Sequence, residues 1–188
     1  MKGYFLTAAK ELIRSEGLKV VSARNVAEKA GFSYATLYNY FKDIRDLIFS
    51  CVEDFMGECR DFVAKEVPKT GSGAVALTDI SKSYAKFFIQ YPGIFDLFHQ
   101  EETNQISTPK SNFSEIDAFF DSLASGEWEI IGKQKKAAAG EIAKAREFHK
   151  LALHGFLLFY LNKRISPKYN DVMDTIAELT RFAVRSIS

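Results

Sequence analysis

The sequence predicts an all-α protein: a three-helix head followed by a larger helical body. Three observations carry this. Apolar residues recur at helical spacing through nearly the whole chain of 188 residues. Only 4 Pro and 11 Gly interrupt it, so long helices are favoured. No stretch shows the two-residue alternation of a half-buried strand. With 47% hydrophobic and 26% charged residues, the composition is that of an ordinary soluble domain able to bury a core.

The first helix is expected over 4–16, where Phe5, Ala8, Ala9, Leu12 and Ile13 share one face, and Gly17 ends it. Ser22 caps a second helix carrying Val26, Ala27 and Ala30 inward to Gly31, a residue able to take the positive φ of a sharp turn. Ser33 caps a third, running to about Phe41, with Leu37 and Phe41 on its inner side. Asp43 caps a long fourth helix to roughly Val67, and Pro68 to Gly73 form the clearest turn cluster.

The body follows with helices expected at 74–91, at 94–101 and from 113 onward. A polar loop is expected over 102–112. Gly140 is taken as the end of the helix that begins at 113, and Trp128 as a lid residue or a partly buried anchor. A long apolar helix is expected from Ala143 to about Ile165, stopped by Pro167, and a last one over 170–187. Two consecutive apolar C-terminal helices exceed what a chain this small can bury alone. They point to a homodimer through Leu157, Leu161, Ile176, Leu179 and Ala183. Gly155 within a helix costs about 1 kcal/mol relative to Ala, a cost accepted where another helix approaches closely.

Net charge is only +1, so bulk charge does not steer a polyanion. Its distribution says more: residues 1–50 hold eight Lys and Arg against five Asp and Glu, while the remainder holds 17 against 19. A basic head therefore sits on a mildly acidic body. Cys51 and Cys59, eight positions apart on one helix, lie about 12 Å apart along its axis and cannot bridge. Two free thiols suggest a cytoplasmic protein. The start reaches Lys10 and Glu11 too soon for a signal peptide, and the most apolar run, 151–161, is too short to span a bilayer. No membrane partner is expected.

Two short helices joined by a glycine turn are a helix-turn-helix candidate. Such a unit reads a major groove when the outer side of its second helix is short, polar and able to hydrogen-bond. Here Ala35 and Asn39 oppose Leu37 and Phe41, with Thr36 and Tyr38 beside them. Asn can bond adenine bidentately, and Thr or Ala can pack on a thymine methyl. The tyrosine hydroxyls reach phosphates, and Lys42 follows the helix.

The run Ser22 to Lys42 resembles the DNA-binding signature of the TetR family of transcriptional regulators. The matching elements are Val26-Ala27, Ala30-Gly31, Ser33 and Thr36-Leu37-Tyr38 ending at Phe41. The resemblance covers about residues 4–50 and implies a DNA-binding domain over 1–50, tied by the fourth helix to a ligand-binding and dimerisation domain over 51–188. It implies DNA contacts from Tyr34, Ala35, Thr36, Tyr38, Asn39 and Tyr40, with Lys42 on the backbone, and Ser33, their cap, is counted in the DNA-binding set. Arg24 is a further candidate for a phosphate or groove contact. One departure is visible: the family commonly has lysine at the position of Ile44, and Arg45 leaves from a different angle.

The function implied is a one-component repressor binding a palindromic double-stranded operator as a homodimer, with a small-molecule effector in the body. By inventory the effector is apolar and weakly charged at most, with Tyr84, Phe88, Tyr91, Phe120 and His154 as its candidate contacts. Tyr160 is a further polar tip. Two other readings stay open: a body that is a protein-interaction or dimerisation module without a ligand, and a helical binding protein or enzyme with a vestigial head. No nucleophile elbow, phosphate loop, zinc-protease motif or dinucleotide fingerprint appears. His149 and His154 stand about 140° apart on a helix, so they do not chelate one metal. Neither catalysis, nor a metal, nor a cofactor is expected.

Overall fold

The computed structural model describes residues 1–99 and 111–187. Among them are nine α-helices and no strand: α1 (Lys2–Glu16), α2 (Ala23–Ala30), α3 (Tyr34–Leu37), α4 (Ile44–Glu66), α5 (Ala74–Gln90), α6 (Pro92–His99), α7 (Ser111–Lys135), α8 (Ala139–Leu161) and α9 (Tyr169–Arg185). A 3-10 turn, Leu18–Val20, follows α1. The chain divides into two compact units, one of residues 1–58 and 90–116, the other of 59–89 and 117–188. The expected loop over 102–112 falls largely outside the described residues, although α7 already begins at Ser111.

The first unit is built on α1. Its predicted stripe, Phe5, Ala8, Ala9, Leu12 and Ile13, is buried, and α1 packs on both α2 and α6. Phe5 meets Phe32 at 5.4 Å and Tyr40 at 6.2 Å between ring centres. Along the other side, Lys10 Nζ bonds Asp54 Oδ2 at 2.8 Å and Glu58 Oε1 at 2.6 Å, and Arg14 pairs with Glu58. The Arg14 guanidinium also covers the Phe55 and Tyr91 rings, at 5.1 and 5.5 Å. Burial pushes the Cys51 and Cys59 thiols up to about 12, so both stay protonated and unreactive.

The sequence places the helix near 94–101 with the body. In the structure α6 instead packs on α1 and the 3-10 turn. Gly93 is the reason this approach is possible: a Cβ there would come within 2.2 Å of the Ile13 carbonyl oxygen.

The second unit holds nearly all of α5, α7 from Asp117 onward, α8, α9 and the C-terminal part of α4. Three expectations fail here. α7 does not wait for Gly140; it stops at Lys135, because Lys136 turns to φ 54° and the Ala137 amide bonds back to Gly132 O at 3.1 Å. Gly140 then lies in the first turn of α8, whose start is held by Ala138 N–H donating to Glu141 Oε2 at 3.0 Å. α8 ends at Leu161, well before Pro167, through the same device: Lys163 at φ 56° and Arg164 N–H bonded to Phe159 O at 2.9 Å. Trp128 is no lid, being 1% exposed.

Gly93→Ala should therefore destabilise the protein by about 1–3 kcal/mol, since the clash is with backbone that cannot rotate away. Gly126→Ala, mid-helix with nothing within 4 Å of the new methyl, should instead stabilise by about 0.5–1 kcal/mol. Urea unfolding midpoints of the two variants check both signs.

Candidate functional site

The second and third helices of the head are fixed by their termini. Ser22 Oγ accepts from Asn25 N–H at 3.1 Å, and Asn25 Nδ2 donates to Val20 O at 2.7 Å. Gly31 takes φ 77°, ψ 26°, the left-handed turn that lets α3 start three residues later. Ser33 Oγ accepts from Thr36 N–H at 3.2 Å and lies 2.9 Å from the Thr36 hydroxyl. Asp43 Oδ1 then accepts from Arg45 and Asp46 N–H, both at 2.9 Å, and opens α4.

The third helix is shorter than its expected run to Phe41. After Leu37 the chain tightens into a turn, with Asn39 N–H bonded to Thr36 O and Tyr40 N–H to Leu37 O. The tightening brings Phe41 inward one turn after Leu37, and both are buried at 1% and 0% exposure. The Lys2 ammonium sits 5.2 Å over the Phe41 ring.

What remains outside is the segment with hydrogen-bonding potential. Tyr34, Ala35, Tyr38, Asn39 and Lys42 are exposed, and Thr36 and Tyr40 half-buried. Ser33 is exposed but spends its oxygen on the cap. Arg24 is exposed on the first turn of α2. Ile44 and Arg45 are both half-buried at the start of α4. An exposed face of aromatic, amide and cationic groups over a fixed apolar underside is what a groove-reading helix requires.

Residues 5–51 match the sequence profile of the bacterial regulatory proteins of the tetR family. Over this stretch the head is similar to the DNA-binding part of that family. No curated protein matches the chain. The fold matches solved structures along its whole length. A TetR family transcription regulator from Marinobacter aquaeolei VT8 is 16% identical, with 99% of this chain and 94% of that one covered and a TM-score of 0.69. A putative TetR-family regulator from Mesorhizobium loti MAFF303099 is 12% identical over 100% and 96%, with a TM-score of 0.74. The TetR-family regulator PfmR from Thermus thermophilus is 17% identical over 96% and 97%, with a TM-score of 0.66. At these identities the likeness is one of fold.

In the body, the structure brings together four of the five effector candidates. Tyr84 is the centre: its ring lies 4.8 Å from Phe88, 4.8 Å from Phe120 and 5.6 Å from His154. His154 Nδ1–H donates to Lys150 O at 2.8 Å, and its Nε2 shares a hydrogen bond with the Tyr84 hydroxyl at 2.9 Å. Burial holds the Tyr84 phenol well above its ordinary value. Tyr91, the fifth, belongs to the first unit, where it underlies Arg14. Tyr160 stacks on Phe156 at 6.5 Å. A separate open groove of about 530 Å³ is floored by Val63, Ala76 and Ile80 and rimmed by Arg60, Lys69 and Glu127.

Sequence reasoning missed a second polar cluster deeper in the body. His149, 0% exposed, places Nε2 3.0 Å from Thr180 Oγ1 and 3.3 Å from Ser81 Oγ. Both hydroxyl protons are already given to backbone, Ser81 to Leu77 O and Thr180 to Ile176 O. Toward His149 the two oxygens can only accept, so Nε2 carries the proton. Burial, with His154 adding to it, pushes the His149 pKa down to about 4, and the ring is neutral at physiological pH. Only the three-dimensional meeting of α5, α8 and α9 reveals this, though a His one turn after Ala145 on an apolar helix was a visible signal.

The unfolded chain protonates this histidine near pH 6.5, the folded chain only near 4. The stabilisation is thus fully present above pH 6.5 and is lost as pH falls toward 4. Unfolding free energy from urea titrations should drop by about 2 kcal/mol between pH 7.5 and pH 5 from this group. His149→Gln should remove that part of the pH dependence.

Proposed function

We propose that this protein is a ligand-responsive repressor that binds a palindromic operator as a homodimer. The observation that carries the reading is the head's exposed segment, Tyr34 to Lys42, standing over buried Leu37 and Phe41. In this reading Asn39, Ala35 and Thr36 read base edges, and Tyr34, Tyr38, Tyr40, Lys42 and Arg24 meet phosphates. Ser33 holds the segment in register. The functional division is residues 1–50 for DNA and 51–188 for effector and dimer, in the cytoplasm and without catalysis.

The dimer surface we assign differs from the one expected from the sequence. Leu157, Ile176 and Ala183 are each 0% exposed and serve the protomer's own core. Leu161 and Leu179 are half-buried. Exposed instead are Phe148, Leu151, Leu158 and Phe159 on α8, with Phe182 of α9 beside Phe148 at 6.4 Å. Phe182 is 68% exposed and Leu151 63%. Contiguous apolar surface of this kind on a soluble protein marks a partner site. Gly155 lies on the same face, and a Cβ there would meet nothing within 4 Å. The protomer itself does not require this glycine, so the helix it admits is the partner's.

The effector reading rests on the aromatic cluster around Tyr84. A second reading, a body that only dimerises, draws on the same cluster, since its rings pack on each other and its hydroxyl is satisfied.

Lys42→Ala should weaken binding to every duplex and reduce the slope of log affinity against log salt by about one unit or less. Asn39→Ala should change the ranking of operator variants by about 1–3 kcal/mol at one position. Unchanged relative affinities would remove its base-reading role. Phe182→Glu should shift the sedimentation of the protein from dimer to monomer and lower operator affinity with it. A Phe182→Glu protein that stays dimeric would place the interface elsewhere.

A further inference from the structure

Two polar groups in the body core have no hydrogen-bond partner among the described residues, and they belong to rings in contact. Trp128 Nε1–H is a donor without an acceptor, and His149 Nδ1 an atom without a donor. The ring centres stand 5.7 Å apart, tilted by 65°. The two side chains are 1% and 0% exposed. Because Ser81 and Thr180 fix the His149 proton on Nε2, Nδ1 presents a bare lone pair. One donor and one acceptor, on two neighbouring buried rings, thus each carry the cost of an unmade bond. Phe120 closes one side, 5.6 Å from the imidazole.

We infer that this pair receives the hydroxyl of a small neutral alcohol or phenol, its oxygen accepting from Trp128 and its proton donated to His149, an assignment that rests on the effector reading above. The complementarity selects the class. A hydroxyl is the smallest group that both accepts and donates. A ketone or ether would satisfy Trp128 and leave His149 bare. A carboxylate would bring a charge into a site whose histidine is neutral, and whose nearby Asp121 is already held by Arg146 at 2.9 Å and Lys150 at 3.2 Å. The aromatic wall suits an apolar remainder. Since both rings are buried, the guest enters by displacing side chains.

Trp128 is the sole tryptophan, so its emission reports this site directly. The full-length protein is titrated with benzyl alcohol and with ethylbenzene, which has the same shape with a methyl in place of the hydroxyl. Indole emission and the nitrogen-15 resonance of His149 Nδ1 are followed. The alcohol should bind at least about tenfold more tightly, quench Trp128 and shift His149 Nδ1. In Trp128→Phe, followed by the histidine resonance, the preference should fall below about threefold with ethylbenzene affinity unchanged, which also shows the variant is folded. Equal affinities, no binding by either compound, a preference that survives in Trp128→Phe, or a water that stays on His149 Nδ1 through the titration would each overturn the assignment. Operator binding separates this from the effector reading. If the alcohol binds as stated and the operator stays bound, the site stands and the effector reading fails. If a compound releases the operator while Trp128 and His149 stay unmoved, the effector reading stands and this site is wrong.

Discussion

The head depends on one constraint: α1 must be satisfied on several sides at once. Its apolar stripe is buried, its carbonyl end admits Gly93 of α6, and its Lys10 and Arg14 are paired to Asp54 and Glu58 of α4. Half-exposed ion pairs add little stability singly. Here they act together with Phe55 and Tyr91 under the guanidinium, and the stems of Lys10 and Arg14 cover apolar surface as well as carry charge. The result is a scaffold on which the short α2 and α3 are held, although neither is long enough to be stable alone.

Much of that scaffold was legible in the sequence because its signals are local. Ser22, Gly31, Ser33 and Asp43 each act within three residues of themselves, and each does in the structure what its chemistry suggests. The stops of α7 and α8 were not legible, because lysine took the left-handed position that glycine usually holds. Gly140 and Pro167 drew attention away from them. The split of apolar residues on α8 and α9 between core and surface was also hidden. Leu157 and Leu158 are neighbours of one chemical type, and only the packing of α8 on α9 decides which is buried.

The candidate sites divide in the same way. The set proposed to face DNA follows from a four-residue helix and the turn after it, so its exposure could be read from spacing. The body's polar groups could not, since Ser81, Trp128, His149 and Thr180 come from four helices across about a hundred residues of sequence. Tyr84 and His154 are 70 residues apart and meet at 2.9 Å. Buried polar groups of this kind are costly unless paired, and pairing fixes tautomers. It is the hydroxyls of Ser81 and Thr180, both turned to backbone, that decide which face of His149 is a base.

The separation between Leu37 and Phe41 below and Tyr34, Ala35, Tyr38 and Asn39 above has an evolutionary consequence. The buried pair, with the Ser33 cap, bears the folding free energy of this segment, while the outer four positions bear almost none. Exposed substitutions away from caps change stability by about half a kcal/mol at most. Descendants of this gene can therefore drift through many side chains at those four positions while keeping a folded head. On the function proposed above, new operator sequences are reachable by single steps, each intermediate remaining a stable protein, and duplicated copies can diverge in the sites they read without first acquiring compensating changes elsewhere.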